Sequence, residues 1–236
     1  MNTIIFKDEN DARLIPNSDP RAEHIRTVLK ASDGDEIFAG IANGPLFKAK
    51  IHKGAEGYTL SEERVILDNP PQLNADIYVS FARPQITKRI LFEAACFGVK
   101  SVNFYPASKG EADYAKSSLF ASQEFTEHLI RGAEQACATN IPQVKIFKNL
   151  QDTLENIDPN SVKLAPDLYE ATSGFPKNIS PDQKISIVFG SERGFSNPDR
   201  DLLRQHDFTL ISLGPRTLRT DTAIIAALAL TTISLF

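Results

Sequence analysis

Two short apolar runs near the C-terminus constrain the fold of this chain more than any other feature. They span Ile185–Phe189 and residues 208–212, and a helix-forming stretch at residues 198–205 separates them. That spacing suits a crossover between parallel strands, so we predict a β-α-β unit whose two buried strands are neighbours. A glycine loop follows each strand. Because such loops meet at the carboxyl edge of an α/β sheet, we expect a ligand crevice there.

The two loops favour binding through main-chain groups. Gly190 and Gly194 follow the first strand, and Gly214 with Pro215 follows the second. Glycine allows turns that other residues resist, and it lets a ligand approach backbone N–H and C=O groups closely. Neither loop has the Gly-Lys-Ser/Thr ending of a phosphate-binding loop or the Gly-x-Gly-x-x-Gly pattern of a dinucleotide site. From the residues alone, ordinary turns between strand and helix are an equal alternative.

The paired prolines in Asp68-Asn-Pro-Pro71 mark the one clear linker, because proline continues neither a helix nor a central strand. We place a domain boundary there, between residues 1–70 and residues 71–236. In the first domain, Asp-Gly, Asn-Gly and Glu-Gly pairs punctuate three strand-like runs, and one short helix follows Asp19. This pattern predicts a small antiparallel β-barrel. The three runs cover residues 36–39, 46–52 and 58–65.

Beyond residue 71, strand and helix patterns alternate, which is typical of an α/β domain with a mainly parallel sheet. Residues 107–116 are rich in small and charged side chains and are predicted to form a loop over the site. The helix that includes residues 223–230 is apolar on every face, so we expect it to be buried all round, by its own domain or by a second copy. Further strands are predicted at residues 77–81, 102–105, 144–147 and 162–165, and helices at residues 87–97 and 119–138.

Composition limits the partners and the compartment. A net charge of −4 argues against a broadly basic nucleic-acid surface, so RNA binding would depend on local cations near the N-terminus. Two cysteines and four scattered histidines have no metal-ligand spacing, and we predict no metal site. The longest apolar run is far shorter than the roughly 20 residues that span a bilayer, and no secretory signal is visible. We therefore expect a cytoplasmic protein.

The C-terminal motifs resemble those of a known family. Residues 189–196, Phe-Gly-Ser-Glu-Arg-Gly-Phe-Ser, are similar to the Ile-Gly-Pro-Glu-Gly-Gly-Phe-Ser loop of the RsmE-type 16S rRNA uridine N3-methyltransferases. Residues 213–223, Leu-Gly-Pro-Arg-Thr-Leu-Arg-Thr-Asp-Thr-Ala, are similar to the family's Leu-Gly-x-Arg-Ile-Leu-Arg-x-Glu-Thr-Ala signature. This resemblance implies a SPOUT-type α/β fold whose C-terminus forms a trefoil knot around S-adenosylmethionine. Residues 24–35 resemble the opening of the PUA-like RNA-binding β-barrel that precedes the methyltransferase domain.

The resemblance also implies a set of site residues. Arg219 is the expected catalytic residue, because its guanidinium can stabilise the charge left on uracil when N3 loses its proton. Asp221 would orient Arg219 or take that proton; the alternative is an internal Arg219–Asp221 ion pair that only fixes the loop. The implied cofactor-binding residues are Leu164, Ala165, Pro166, Phe189, Gly190, Gly194, Ser212, Leu213, Gly214, Thr217, Leu218 and Arg219.

The implied partners are 16S rRNA or the small ribosomal subunit, and a second copy of the chain, since SPOUT proteins are similar in forming homodimers through this domain. Several positions depart from the family pattern; among them, Ala138 replaces an arginine and Arg193 replaces a glycine. They leave open the same chemistry on another RNA position, or a non-catalytic RNA-binding or ribosome-assembly protein in which Arg193 intrudes on the cofactor crevice. The expected RNA-binding residues are Arg13, Arg21, His24 and Arg26; for the last two, the residues alone favour a solvated helix face.

Overall fold

The computed structural model describes residues 3–12, 14–180 and 182–235. Their contacts divide the chain into two compact units. The first unit consists of the residues up to Pro71 together with Ile130–Ile141, and the second consists of Gln72–Leu129 and the residues from Pro142 onward.

The first unit is built on a mixed five-stranded sheet with the order β1-β3-β4-β5-β2. The three longest strands confirm the three predicted runs. They pair antiparallel, as predicted, and the short β1, which was not predicted, pairs with β3 in parallel. Strands of three and two residues, such as β1 and β2, are too short to show a periodic pattern. The strands are β1 (Ile4–Phe6), β2 (Ile15–Pro16), β3 (Glu36–Ile41), β4 (Leu46–Lys53) and β5 (Gly57–Leu67).

The helix predicted after Asp19 is present and has two parts. An α-helix, α1 (Pro20–His24), continues as a π-helical turn over Ile25–Leu29. The Asp19 carboxylate caps α1 by accepting an N–H of the first turn. Ala22 and Ile25 are fully buried in the apolar cluster that also holds the inward side chains of the sheet. Burial of this face packs the helix onto the sheet of its own unit.

Gly57, at the start of β5, is a position where only glycine fits. Its φ is 156°, and a Cβ there would lie 2.0 Å from the carbonyl oxygen of Ile15. We expect Gly57→Ala to lower the free energy of unfolding by about 2–3 kcal/mol, because rigid backbone must move to make room. Urea denaturation measures the effect. Gly54→Ala in the same hairpin is the matched control, since a Cβ there meets nothing closer than 3.6 Å; equal stability of the two variants would contradict the prediction.

The second unit is built on a seven-stranded sheet with the order β10-β12-β9-β11-β6-β7-β8, in which every pairing is parallel. This confirms the predicted α/β class. Strand β11 is buried along its whole length, as expected for the interior of a parallel sheet. The strands are β6 (Leu73–Ser80), β7 (Val99–Tyr105), β8 (Gln143–Ile146), β9 (Val162–Pro166), β10 (Ser173–Gly174), β11 (Ile185–Phe189) and β12 (Thr209–Ser212).

The helices agree with the prediction except at two points: the short helix Leu150–Glu155 was not predicted, and one predicted helix is divided. The single helix expected over residues 119–138 is wrong, because Gln123 has a left-handed φ of 58° that a helix interior does not accommodate. Two helices, α3 and α4, flank this residue, and α4 passes from the second unit into the first at Ile130. The helices after α1 are α2 (Pro84–Phe97), α3 (Ser118–Ala121), α4 (Phe125–Gln135), α5 (Leu150–Glu155), α6 (Asn197–Gln205) and α7 (Thr220–Leu235).

Strands β11 and β12 are not neighbours, so that part of the sequence prediction was wrong. Strand β9 lies between them and pairs with both. A helical crossover such as α6 requires only that the two strands run parallel, not that they pair. The carboxyl ends of β9, β11 and β12 nevertheless lie at one edge of the sheet, and this edge carries the loops that were predicted to bind a ligand.

After β12, the chain crosses that edge of the sheet. Helix α7 packs against α2, which leads out of β6, whereas β12 lies on the far side of β9 and β11. Residues 213–219 therefore cross the carboxyl ends of β9 and β11. The crossing holds the loop after β12 close to the loops after the other two strands.

One face of α7 stays open. Ile224 and Leu228 are fully buried, but Ile225 and Leu230 are each 37% exposed and Ile233 is 76% exposed. Burial all round by its own domain was therefore wrong for a single chain, because packing against α2 covers only part of the helix.

Among the helices of the described residues, none has the length and apolar composition that a membrane-spanning helix requires.

Candidate active site

A pocket lies where the loops after β9, β11 and β12 converge. Four of the predicted cofactor residues do not line it: Leu164, Ala165, Ser212 and Arg219. Leu164 and Ala165 are buried inside β9. The Ser212 hydroxyl accepts the N–H of Gly214 and so shapes the loop. The predicted residues that do line the pocket are Pro166, Phe189, Gly190, Gly194, Leu213, Gly214, Thr217 and Leu218.

The loop after β11 is a tight, anchored turn. Gly194 has a φ of 70°, and its N–H donates to the carbonyl oxygen of Ser191. A Cβ on Gly190 would lie 3.1 Å from the carbonyl carbon of Gly194, so a side chain there would need the two ends of the loop to move apart by a few tenths of an ångström. The fully buried Tyr105 hydroxyl donates to the carbonyl oxygen of Phe189 at 2.9 Å. Burial raises the pKa of this hydroxyl well above its usual value, which keeps it a hydrogen-bond donor.

The segment predicted to form a loop over the site, residues 107–116, is tied to the glycine loop and to α6. The Ser108 hydroxyl donates to the Asp199 carboxylate at 2.6 Å, and the Lys109 ammonium donates to the carbonyl oxygen of Phe195 at 3.0 Å. Asp199 and Ser196 form the capping box that starts α6. These bonds fix where the segment sits beside the pocket.

Arg193, which departs from the family pattern, is among the residues that line the pocket, and it forms an ion pair with Glu111. Its side chain is 74% exposed, and its guanidinium lies 3.8 Å from the carboxylate of Glu111. A side chain that is three-quarters in solvent does not fill the crevice. The geometry therefore gives no support to the alternative in which Arg193 blocks a cofactor.

Asp221 and Arg219 form an ion pair, and a third residue joins them. The Asp221 side chain is only 7% exposed, and its Oδ1 lies 3.4 Å from Nε of Arg219. Its Oδ2 lies 3.3 Å from a terminal nitrogen of Arg89 on α2, and Oδ1 also accepts the N–H of Thr222. Arg219 itself is 63% exposed and follows Leu218, which lines the pocket. Asp221 therefore orients an exposed guanidinium next to the pocket.

The loop after β9 contains a buried ion pair that the sequence analysis missed. Oδ2 of Asp167 accepts from Nε of Arg200 on α6 at 2.9 Å, and the two side chains are 2% and 5% exposed. Leu168 and Tyr169, next along the loop, line the pocket. No local pattern links Asp167 to a partner on α6, which follows both β10 and β11 along the chain, so only the fold brings the pair together.

The RNA-binding predictions fall on the first unit, where Arg13 lies outside the described residues. Arg21 donates to Asp11 at 2.6 Å and to Asp19 at 2.7 Å, and its guanidinium lies 5.0 Å from the centre of the Phe6 ring. The hydrogen bonds from Arg21 hold the pKa of both carboxyls below their usual value. Arg21 is thus committed to contacts within its own unit.

The other two predicted RNA contacts differ from each other. Burial lowers the pKa of His24, and its Nε2 has no hydrogen-bond partner among the described residues. A neutral, half-buried imidazole is a poor partner for phosphate. Arg26 lies on the exposed face of the π-helical turn, with Lys30 following it. Arg26 therefore offers a charge to solvent that Arg21 and His24 do not.

The lining of the pocket fits S-adenosylmethionine. Pro166, Phe189, Leu213 and Leu218 provide apolar surface for a flat heteroaromatic ring, and the glycine loops expose main-chain donors and acceptors for its edges.

Within residues 3–12, 14–180 and 182–235, no three His, Cys, Asp or Glu side chains group in a way that could hold a metal ion.

A family model described as "RNA methyltransferase domain" matches residues 69–232, which include all three pocket loops. The parallel sheet and the pocket at its carboxyl edge lie within this match. The chain belongs to the RNA methyltransferase family.

The particular members that it matches are named ribosomal RNA small subunit methyltransferase E. The protein of Borreliella burgdorferi, carrying that name with the number 1, is 32% identical over 246 residues, which cover 98% of this chain and 97% of the relative. The protein of Treponema pallidum is 30% identical, and the match covers 97% of this chain and 90% of the relative. A crystal structure of the Neisseria gonorrhoeae enzyme, described as bound to S-adenosyl methionine, has a TM-score of 0.76 over 97% of this chain and 95% of that chain at 17% identity. These matches confirm the predicted resemblance and fold.

Proposed function

We propose that this chain transfers a methyl group from S-adenosylmethionine to N3 of a uridine in 16S rRNA. The observation that carries the proposal is that two features lie side by side. One is a pocket lined by three loops that contain glycine or apolar residues, and the other is the guanidinium of Arg219, which Asp221 orients next to that pocket. The names of the relatives support small-subunit rRNA as the substrate.

In this proposal the cofactor supplies an electrophilic methyl group. Leu213, Leu218 and Phe189 would contact its adenine, and main-chain groups around Gly190 and Gly214 would bind its polar edges. Leu164, Ala165 and Ser212 would act indirectly, by holding the strand ends and the loop from which these contacts are made. Since the loops are anchored before binding, little ordering would be needed when the cofactor enters.

Arg219 would stabilise the uracil that attacks the methyl group. The N3 imide is a poor nucleophile until its proton leaves, and the negative charge then spreads to the two carbonyl oxygens. A guanidinium can donate to one of these oxygens from the side away from N3, which leaves the N3 lone pair open to the methyl group, and the contact with Asp221 limits the orientations of Arg219. Asp221 would be a positioning residue, because both of its oxygens already contact Arg219, Arg89 or the backbone.

For the first unit, we propose Arg26 as an RNA contact, because it is exposed on the helix that the family resemblance assigns to RNA binding. Arg21 would instead maintain the fold through Asp11 and Asp19. Arg13 remains a prediction. A substrate within the ribosome would place the protein in the cytoplasm.

The test is methyl transfer by the purified protein. S-adenosylmethionine with a tritiated methyl group is incubated with unmodified 16S rRNA, with small subunits reconstituted from it, and with 23S rRNA as the matched control. We expect label in at least one of the two small-subunit substrates and none in 23S rRNA. Label in neither small-subunit substrate, or equal label in 23S rRNA, would contradict the proposal.

We also propose that two copies associate through the open face of α7. Ile225, Leu230 and Ile233 form an apolar stripe at helical spacing, and covering it against the same stripe of a second copy would give a two-fold interface.

Ile233→Glu is expected to weaken this association by about 100-fold or more, because the interface would have to bury an unpaired charge. Sedimentation equilibrium measures the mass of the variant and of the wild type. Ile146→Glu is the matched control, since Ile146 lies on β8 and is 55% exposed. A monomeric wild type, or a dimer unaffected by Ile233→Glu, would rule out this interface.

A further inference from the structure

Tyr169 is a large aromatic side chain that the fold leaves in solvent beside the pocket. It is 75% exposed, yet it lines the pocket together with Pro166 and Leu168 from the loop after β9. An aromatic ring at the mouth of a pocket offers a flat apolar face with a polar edge, which a ligand in the pocket can cover.

Hydrogen bonds to the Asp167 carboxylate hold the backbone at Tyr169 in place. Oδ1 of Asp167 accepts the N–H of Tyr169 at 2.8 Å and the N–H of Glu170 at 2.7 Å, which closes a tight turn. Oδ2 of the same carboxylate accepts from Arg200, and both side chains are almost completely buried. Burying an ion pair contributes little net stability, so its main consequence here is a fixed position for the turn.

The ring is held as well as the backbone. The guanidinium carbon of Arg200 lies 5.6 Å from the centre of the Tyr169 ring, within the range of a cation–π contact. One face of the ring therefore rests on a cation that is itself fixed by Asp167 and by the side chain of Asn197. The rest of the ring faces solvent at the pocket mouth, so a flat partner could stack on it without reordering the loop.

We propose that Tyr169 is the residue on which the target nucleobase of the RNA stacks; this inference rests on the proposed methyltransferase function. The proposed surface for a cofactor ring, at Phe189, Leu213 and Leu218, is less exposed than Tyr169: Phe189 is 3% exposed and Leu218 is 36% exposed. A base that has left its helix would reach the pocket from its mouth, where Tyr169 lies. Stacking on an aromatic ring suits this task because every base has a π-face.

The test compares Tyr169→Ala and Tyr169→Phe with the wild type in the methyl-transfer assay, on whichever small-subunit substrate the wild type methylates, free 16S rRNA or reconstituted subunits. We expect Tyr169→Ala to lower kcat/KM for RNA by roughly 10- to 100-fold, since stacking on one base has that effect, and Tyr169→Phe to stay within about threefold. The affinity for S-adenosylmethionine, measured by calorimetry, should stay within about twofold for both. Ile146→Ala, an exposed aliphatic side chain on β8, is the control for simple loss of apolar surface.

Each other outcome has a distinct meaning. A wild type that does not methylate RNA would overturn the proposed function and this inference together. An active wild type with unchanged kinetics for Tyr169→Ala would overturn the inference alone. Weaker cofactor binding by Tyr169→Ala in proportion to its lost activity would also overturn it, and would assign the ring to the cofactor.

Discussion

Gly214→Val is expected to weaken S-adenosylmethionine binding by about 100-fold, the upper end of what a strained backbone position costs. Gly214 has a φ of 115°, which a β-branched residue does not adopt, although no atom lies within 4 Å of a Cβ placed there. The loop must therefore change its path, and Leu213 and Thr217 of the pocket wall move with it. Because the loop is exposed, the overall fold should survive.

Calorimetric titration measures the affinity, and circular dichroism establishes that the variant is folded. Gly174→Val is the matched control: a Cβ at Gly174 also has open space, its φ is ordinary, and it lies outside the pocket. Wild-type affinity in Gly214→Val would show that the loop after β12 does not bind the cofactor. Equal loss in both variants would point to a general effect of valine rather than to this loop.

Arg219→Ala is expected to lower the rate of methyl transfer by about 100- to 1000-fold at saturating cofactor and RNA, because the uracil would lose its charge-stabilising donor. Arg219→Lys should recover only part of this rate, since an ammonium on a shorter side chain lacks the planar fork of donors that a guanidinium presents to a carbonyl oxygen. Cofactor affinity should change by less than about threefold, because the side chain does not line the pocket and the main chain is retained.

Single-turnover rates give the comparison directly. Arg64→Ala is the matched control, since Arg64 is 66% exposed and lies 3.6 Å from the carboxylate of Glu36, much as Arg219 lies beside Asp221. An unchanged rate in Arg219→Ala would leave the Arg219–Asp221 pair as a structural ion pair, the alternative that the sequence had left open.

The sequence was most informative where local chemistry repeats. Apolar runs that end in glycine identified β11 and β12 and the loops after them, and most of the predicted cofactor residues do line one pocket. Asp19 before a helical pattern and Gly98 after one marked the helix ends, because capping depends on adjacent residues.

What the sequence could not predict depends on contacts between distant residues. Nothing near β11 or β12 indicates that β9 separates them. Arg89 contacts Asp221 from α2, and Arg200 contacts Asp167 from α6, which follows β10 and β11 along the chain. Both pairs therefore exist only because the sheet is assembled. Gln123 breaks a helical pattern without a glycine or proline to mark the break.

The central claim is that this pocket methylates a uridine of 16S rRNA at N3, and the most direct test is the identity of the product. Unmodified 16S rRNA, both free and assembled into small subunits, is incubated with the protein and S-adenosylmethionine, digested to nucleosides and analysed by mass spectrometry against authentic standards. Primer extension on the same RNA locates the modification, because a methyl group at N3 blocks the pairing edge of the base. We expect 3-methyluridine and a single strong stop. Methylation of another base, of another position on uridine, or of no nucleoside at all would contradict the account.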